Sequence, residues 1–407
     1  MIAYACSPHK GGEHLLGWNW ASRLAERGHN ITVLTAAHRL AESDGERPTK
    51  LQMIGVEDGR FVFLRRLGLL GPQLYYQLWN RAAARMAQQI CNEKPVDVVH
   101  QCTFHTFRVP CLPALWGSKP VVWGPIAGLE RIPASLLPSV GWGLWSELLR
   151  AVANRIQLRR TLIRRCLSAA DLVIVSNNDT KSALEHVAPR KYEYLPANAV
   201  ELPPLAAYIP PPSGQLNMVA VGALVPMRPF RLVLQAIAQI PGERRAGLSL
   251  TFIGQGRSEG ALKALVRSLG LDATVKFLGP QPRSATLEHM RAAHLLVFPS
   301  LRDSGSSAVA EAMAMGLPVL GFDLAGPAAM LGNGGGFLMR SRTPPGLVTE
   351  IREYLDRLLR DPAPLAAAGQ EGRKAAERQF NWHNRIARVE ELYRAAVATH
   401  SRSARSR

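Results

Sequence analysis

The stretch His294–Leu324, HLLVFPSLRDSGSSAVAEAMAMGLPVLGFDL, sets the fold. HLLVFPSL and LPVLGFDL are short apolar runs with the composition of buried strands, and SAVAEAMAMG between them is a helical pattern of small and apolar residues closed by glycine. Strand, helix and second apolar strand make a βαβ crossover, the unit of a parallel sheet. The first strand is expected to end at about Ser300 and the helix to begin near Ser306 or Ser307, which leaves Asp303 in the turn. Two readings fit that turn. In one, Ser304, Gly305, Ser306 and Ser307 let a diphosphate approach the free N–H groups at the helix start, while Glu311 accepts hydrogen bonds from a ribose. In the other, the segment is an ordinary capped helix with Glu311 on a solvated face.

Outward from this unit the same alternation continues. LNMVAVGAL, LSLTFIGQG and TVKFLGP read as further strands, with PFRLVLQAIAQI, EGALKALVRSLG and ATLEHMRAA as helices between them. The first half follows the same pattern: IAYAC, NITVLTA, FVFL, VDVVHQ, PVVWGP and DLVIVSN are strand candidates, with WNWASRLAERGH and LWNRAAARMAQQICNEKP as amphipathic helices. The proline-rich LPANAVELPPLAAYIPPP is too poor in helix and strand formers for either, and reads as a linker. The expected layout is an α/β chain of two Rossmann-like domains facing across a cleft: 1–196, a linker at 197–212, and 213–379. A helix at about 380–399 crosses back to complete the first domain, and 400–407 is a basic tail. In open parallel sheets ligands sit at the carboxyl ends of strands, so the site is expected there.

The chain has 407 residues, enough for two cores of ordinary size, and a formal net charge of +18. That charge favours phosphates or anionic lipid as partners; nucleic acid has no recognition motif or stacking platform to support it. Six arginines and no acid fall between Arg150 and Arg165, directly after the tryptophan-bearing GWGLWSELL. Such a segment suits the headgroup level of a membrane, or it is a solvated helix face packed on its own domain. No apolar run is long enough to span a bilayer and the start lacks a signal-peptide layout, so a cytoplasmic protein, or one peripheral on the cytoplasmic face of a membrane, is expected. The five cysteines are scattered without a C-x-x-C pair, which points to neither zinc nor disulfides.

Several strand ends carry residues suited to a nucleotide. GALVPMRPFRLVLQAI puts Arg228 just after a strand; IGQGRSEG puts Gly254 and Gly256 in a glycine turn; KFLGPQ offers Gly279 and Pro280 to line a flat base. The succession VGALVPMRPF, LTFIGQG, VKFLGP, VFPSLRDSGSSAVAEAMAMGLPVLGFDLAGP resembles the donor-binding half of the retaining glycosyltransferases of family 4, with the GT-B fold. SPHKGGEHLLGWNWASRLAERGHNITVLT is similar to that family's N-terminal glycine loop, VVWGPIAGLERIP to the WGP-x-GG-x-E stretch of a subgroup common among polysaccharide-biosynthesis enzymes, and FNWHNRIARVEELY to its crossover helix.

The resemblance implies roles residue by residue. Arg228 would bind the donor diphosphate with the backbone of Ser304, Gly305, Ser306 and Ser307, and Gly11 and Gly12 would approach it from the first domain. Glu311 would bind the ribose, Asp303 would face the sugar hydroxyls, and Gly254, Gly256, Gly279 and Pro280 would border the base. The sequence departs from the family at Ala223, where an arginine is usual, and at Pro229, where glycine is. Arg231 is a candidate to share the phosphate charge. The strand VVWGP lacks the family's histidine, so His100 or His105 would stand in for a catalytic imidazole. The expected activity is retaining transfer of a hexosyl group from a UDP- or GDP-linked sugar to a hydroxyl acceptor, such as a lipid-linked glycan, in cell-surface polysaccharide or glycolipid synthesis, with no cofactor and no metal. The alternatives are a non-catalytic nucleotide-sugar binder or scaffold of the same fold, and a nucleotide-sugar epimerase.

Overall fold

The computed structural model describes residues 1–9, 12–43, 47–57, 59–67, 71–102, 106–190, 192–204, 208–332 and 334–405. The chain forms two units: Met1–Leu129 with Val152–Ala197 and Arg385–Arg407, and Glu130–Ala151 with Asn198–Asn384.

In the first unit, β1 (Ile31–Ala36) pairs in parallel with β2 (Leu51–Val56), while β3 (Val99–Gln101), β4 (Val121–Ile126), β5 (Leu172–Val175) and β6 (Glu193–Tyr194) form a parallel ladder in that order. Ile2 joins the two pieces by bridging to both Leu34 and Gln101. Helices Glu13–Glu26, Gly71–Glu93, Thr161–Ala169 and Asn178–Val187 belong to this unit. FVFL is not a strand. It lies in a 3₁₀ stretch, Gly59–Arg66, that exposes Phe61 and Phe63, and the neighbour of β1 is the less apolar LQMIGV. The five cysteines are free, and all but Cys91 are buried.

The second unit holds six parallel strands: β7 (Leu216–Val221), β8 (Leu248–Ile253), β9 (Val275–Gly279), β10 (Leu295–Phe298), β11 (Val319–Phe322) and β12 (Gly336–Met339). Their order across the sheet is β12-β11-β10-β7-β8-β9. The chain starts in the middle, moves outward through β8 and β9, then returns to the other side of β7 for β10. Strand order therefore reverses between β7 and β10, which opens a crevice at their carboxyl ends. Side chains alternate across the sheet with the period of two that strands impose. Leu216, Met218 and Ala220 enter a core with Phe230, Leu234 and Ile351, whereas Val219 enters the opposite one with Val309 and Met313. Full burial of each such large side chain contributes about 1.5–3 kcal/mol.

One expected boundary needs correction. Residues 130–151 were assigned to the first half, but Leu136 and Val140 are buried in the same core as Met218 and Phe230. The proline-rich stretch begins where one unit gives way to the other, at Ala197 and Asn198, and several of its described residues are packed. Val200 is buried and bridges to Asn381, and the Tyr208 hydroxyl donates to the His294 carbonyl at 2.8 Å. Prolines deny it regular structure without denying it a packed path.

Candidate donor site at the strand reversal

The loops after β7 and β10, on either side of the reversal, bring Arg228 and Asp303 together. Arg228 Nη2 lies 3.4 Å from Asp303 Oδ2, and the guanidinium stacks 4.6 Å from the Phe298 ring centroid. Cation–π contact with a buried ring fixes the plane of the cation. Asp303 also accepts from the Gly305 N–H at 2.9 Å, so its carboxylate closes the turn two residues on rather than capping the helix. Burial raises the Asp303 pKa above the usual carboxylate range, opposed by the Arg228 charge.

The helix Ser307–Met315 begins after Ser306, whose side chain makes no capping hydrogen bond. Its first N–H groups therefore face the turn without the side-chain oxygen that usually satisfies them. Glu311 is not on a solvated face. Its side chain is 10% exposed and pairs with Arg283 Nη1 at 2.5 Å; burial raises its pKa, against the pull of Arg283. Both observations turn the capped-helix reading aside: the acid in the loop is no cap, and the acid in the helix is buried.

The glycine turn after β8 has a packing role. A Cβ on Gly254 would stand 2.2 Å from the Gly222 carbonyl oxygen, and one on Gly256 would stand 2.2 Å from that of Leu224. Only bare backbone lets this turn press against the loop that carries Arg228. Gly279, by contrast, has nothing within 4 Å of the position a Cβ would take, and Pro280 is exposed, so the end of β9 stays open beside Arg283. Arg231 is drawn elsewhere: Nη2 donates to the Pro138 carbonyl at 2.9 Å, and Nε lies 3.4 Å from that of Ser139. Among the described residues, Arg228 is the guanidinium paired with Asp303.

One feature of this loop has no signal in the sequence. Arg302 Nη2 donates to Glu147 Oε1 at 3.1 Å, and Arg150 Nε donates to Glu147 Oε2 at 2.9 Å, from a helix, Leu144–Arg159, far upstream. The outward side of that helix is apolar: Trp145, Leu149, Val152 and Ile156 are exposed, as is Trp142 just before it.

In the first unit, Gly12 opens the helix Glu13–Glu26 with φ +65°, a left-handed backbone suited to glycine; Gly11 lies outside the described residues. His105 also lies outside them. His100 is fully buried, and both ring nitrogens are engaged: Nε2–H donates to the Gly124 carbonyl at 2.6 Å, which leaves Nδ1 to accept from the Tyr393 hydroxyl at 2.7 Å. Burial lowers its pKa to about 3. The imidazole has neither a spare lone pair nor a proton for substrate, which corrects the catalytic role expected for it. Among the described residues, no three of His, Cys, Asp or Glu gather into a metal-holding group, and no helix is long and apolar enough to cross a membrane.

Comparison with known proteins agrees with the two-part α/β architecture. Residues 17–198 match the family described as glycosyl transferase 4-like domain, and residues 207–375 match glycosyl transferases group 1. The chain is 29% identical over 204 residues to a D-inositol 3-phosphate glycosyltransferase of Streptomyces avermitilis, a match spanning 48% of this chain and only 43% of that protein. It is 26% identical over 319 residues to a 2-deoxystreptamine glucosyltransferase of Streptomyces kanamyceticus, covering 78% of this chain and 74% of the other. In three dimensions it superposes on Alr3699/HepE of Anabaena, solved in complex with UDP, with a TM-score of 0.64 at 16% identity, over 96% of this chain and 98% of that one. The chain thus carries, in order, a glycosyl transferase 4-like domain and a group 1 glycosyl transferase domain, with the GT-B fold.

Proposed function

We propose that the protein transfers a hexosyl group from a nucleoside diphosphate sugar to a hydroxyl acceptor with retention at the anomeric carbon. The observation that carries this reading is the pairing of Arg228 with Asp303 beside the uncapped start of the helix Ser307–Met315. In such a reaction negative charge grows on the leaving diphosphate, and a fixed guanidinium with helix N–H groups aimed at it lowers the barrier. Arg228 and the Ser304–Ser307 backbone take the diphosphate, Glu311 exchanges Arg283 for the ribose hydroxyls, and Asp303 orients the sugar. Gly279 and Pro280 border the base. Gly254 and Gly256 act one step back, by seating the Arg228 loop. This charge supply calls for no metal, and the departing diphosphate itself accepts the proton of the attacking hydroxyl on the front face. Solved structures of the same fold hold UDP, which supports a nucleotide-linked donor.

For the acceptor we favour a lipid-linked glycan met at the cytoplasmic face of a membrane, as in cell-surface polysaccharide or glycolipid synthesis. The support is the exposed apolar side of the helix Leu144–Arg159, bordered by Arg155 and Arg159 and followed by Arg164 and Arg165. A scaffold that binds the nucleotide sugar without turning it over is favoured by one observation: Arg231 is held by carbonyls and Ala223 stands where the resemblance leads one to expect a cation, so that among the described residues Arg228 alone pairs with Asp303.

A screen of UDP- and GDP-linked sugars by thermal shift and by sugar release tests both readings, with Asp303→Asn and Glu311→Gln as controls. Turnover lost in Asp303→Asn supports transfer, binding without turnover supports the scaffold, and isomerised donor without transfer would point to an epimerase. A product of inverted configuration by NMR overturns retention.

A further inference from the structure

The helix Leu144–Arg159 is built inside out. Its outward side carries Trp145, Leu149, Val152 and Ile156, while the buried side of its first turns carries Glu147 and Arg150. A carboxylate withdrawn from water is retained only where charges and hydrogen bonds repay its lost hydration. Glu147, with a side chain 6% exposed, gives one oxygen to Arg150 and the other to Arg302, and Arg150 continues to the Glu130 carbonyl at 2.9 Å. Arg302 is the residue immediately before Asp303. Its guanidinium is therefore anchored on the first turns of that helix, and the backbone that follows is the turn in which Asp303 meets Arg228 and Gly305.

We propose that Glu147 is a positioning residue for the donor loop: through Arg302 it fixes where Asp303 stands against the donor sugar, without touching the donor itself. This rests on the transfer reading above. With Glu147 neutralised, Arg302 loses its anchor and becomes a cation free to compete with Arg228 for the Asp303 carboxylate. Both effects misplace the sugar-facing acid. Neither removes a group assigned to the nucleotide, since Arg228, the Ser304–Ser307 backbone and Glu311 all keep their side chains and N–H groups.

The test uses the full chain with whichever of UDP-glucose and GDP-mannose the wild type turns over, and compares Glu147→Gln, Arg302→Gln, the double variant and Arg302→Lys. A misplacement of the order of an ångström costs about ten- to a hundredfold in rate, so kcat is expected to fall by that factor in each Gln variant. The double variant is expected to be no slower than the worse single, because both break one link. The Kd of the free nucleoside diphosphate, measured by calorimetry, is expected to stay within about twofold of wild type, because no group assigned to it is removed and the misplaced acid faces the sugar, which the free diphosphate lacks. Arg302→Lys keeps the ion pair and is expected to recover most of the rate. If Glu147→Gln fails to fold, Arg302→Gln, which alters a more exposed partner, carries the test. Folded Gln variants with wild-type kcat overturn the inference, as do losses that multiply in the double variant, or a Kd that weakens in step with kcat. A wild type without any turnover overturns the transfer reading and this inference with it.

Discussion

Lowering the pH separates a structural His100 from a catalytic one. Burial holds its pKa at about 3 in the folded chain, against 6.5 ordinarily, with the Gly124 hydrogen bond opposing the shift. A group whose charged form is disfavoured by folding weakens the fold wherever the unfolded chain is protonated and the folded one is not. His100 therefore costs nothing well above pH 6.5, and the penalty grows as the pH falls from 6.5 toward 3. At pH 5 the unfolded imidazole is favoured by its proton about thirtyfold while the native one remains neutral, a loss of about 2 kcal/mol. Urea titrations of wild type and His100→Gln at pH 7.5 and 5.0 measure it. Gln can still donate to the Gly124 carbonyl and accept from the Tyr393 hydroxyl, and every other titrating group cancels in the difference. Wild type is expected to lose about 2 kcal/mol more than the variant between the two conditions. Equal losses would refute the assignment, and so would a turnover profile with a step near pH 6.5 that disappears in His100→Gln.

Three further outcomes are expected. Gly222 sits at φ +113°, with the position of a Cβ 2.5 Å from Arg228 Nη1; Gly222→Ala should displace the guanidinium and weaken nucleoside diphosphate binding about tenfold or more by calorimetry, since a charged hydrogen bond of about 1.5–3 kcal/mol is disturbed. Glu390 accepts from Arg27 at 2.8 Å through both oxygens and from His29 at 2.9 Å, and these partners, Arg27 foremost, lower its pKa to about 2. Its stabilisation is complete above about pH 4.5 and is lost as the pH falls toward 2; with both partners partly exposed it amounts to about 1–2 kcal/mol, which Glu390→Gln should remove at pH 7 in a urea titration. Trp145→Ala with Leu149→Ser should reduce co-sedimentation with anionic vesicles severalfold, as should Arg159→Glu with Arg160→Glu; unchanged pelleting would leave the exposed helix face without a lipid role.

What the sequence discloses depends on how locally each feature is encoded. All five apolar runs of the second half are strands, because a sheet covered on both faces needs uninterrupted hydrophobicity and leaves that mark in the chain. β12, with its glycine and half-buried residues, carries no such mark. LQMIGV is a strand while the more apolar FVFL is not, so apolarity alone ranks the two in the wrong order. The loop and helix positions of Arg228, Asp303 and Glu311 are legible because strand ends and helix starts are local signals. The Glu147–Arg302 pair spans 155 positions and His100–Tyr393 spans 293, and no periodicity encodes a contact that only the folded chain creates.

The interleaving of the two units bears on how the chain is made. Units ordinarily fold in the order of their synthesis, but the first unit here includes residues from Arg385 onward, which are translated after the whole of the second. Until that segment emerges, Arg27 and His29 lack Glu390, and His100 keeps a buried nitrogen without the Tyr393 hydroxyl. The second unit can be finished while the first still waits for its closing helix. A nascent chain halted before Arg385 would hold a complete second unit and an open first one, so a chaperone that guards this protein has its longest task at the amino-terminal end.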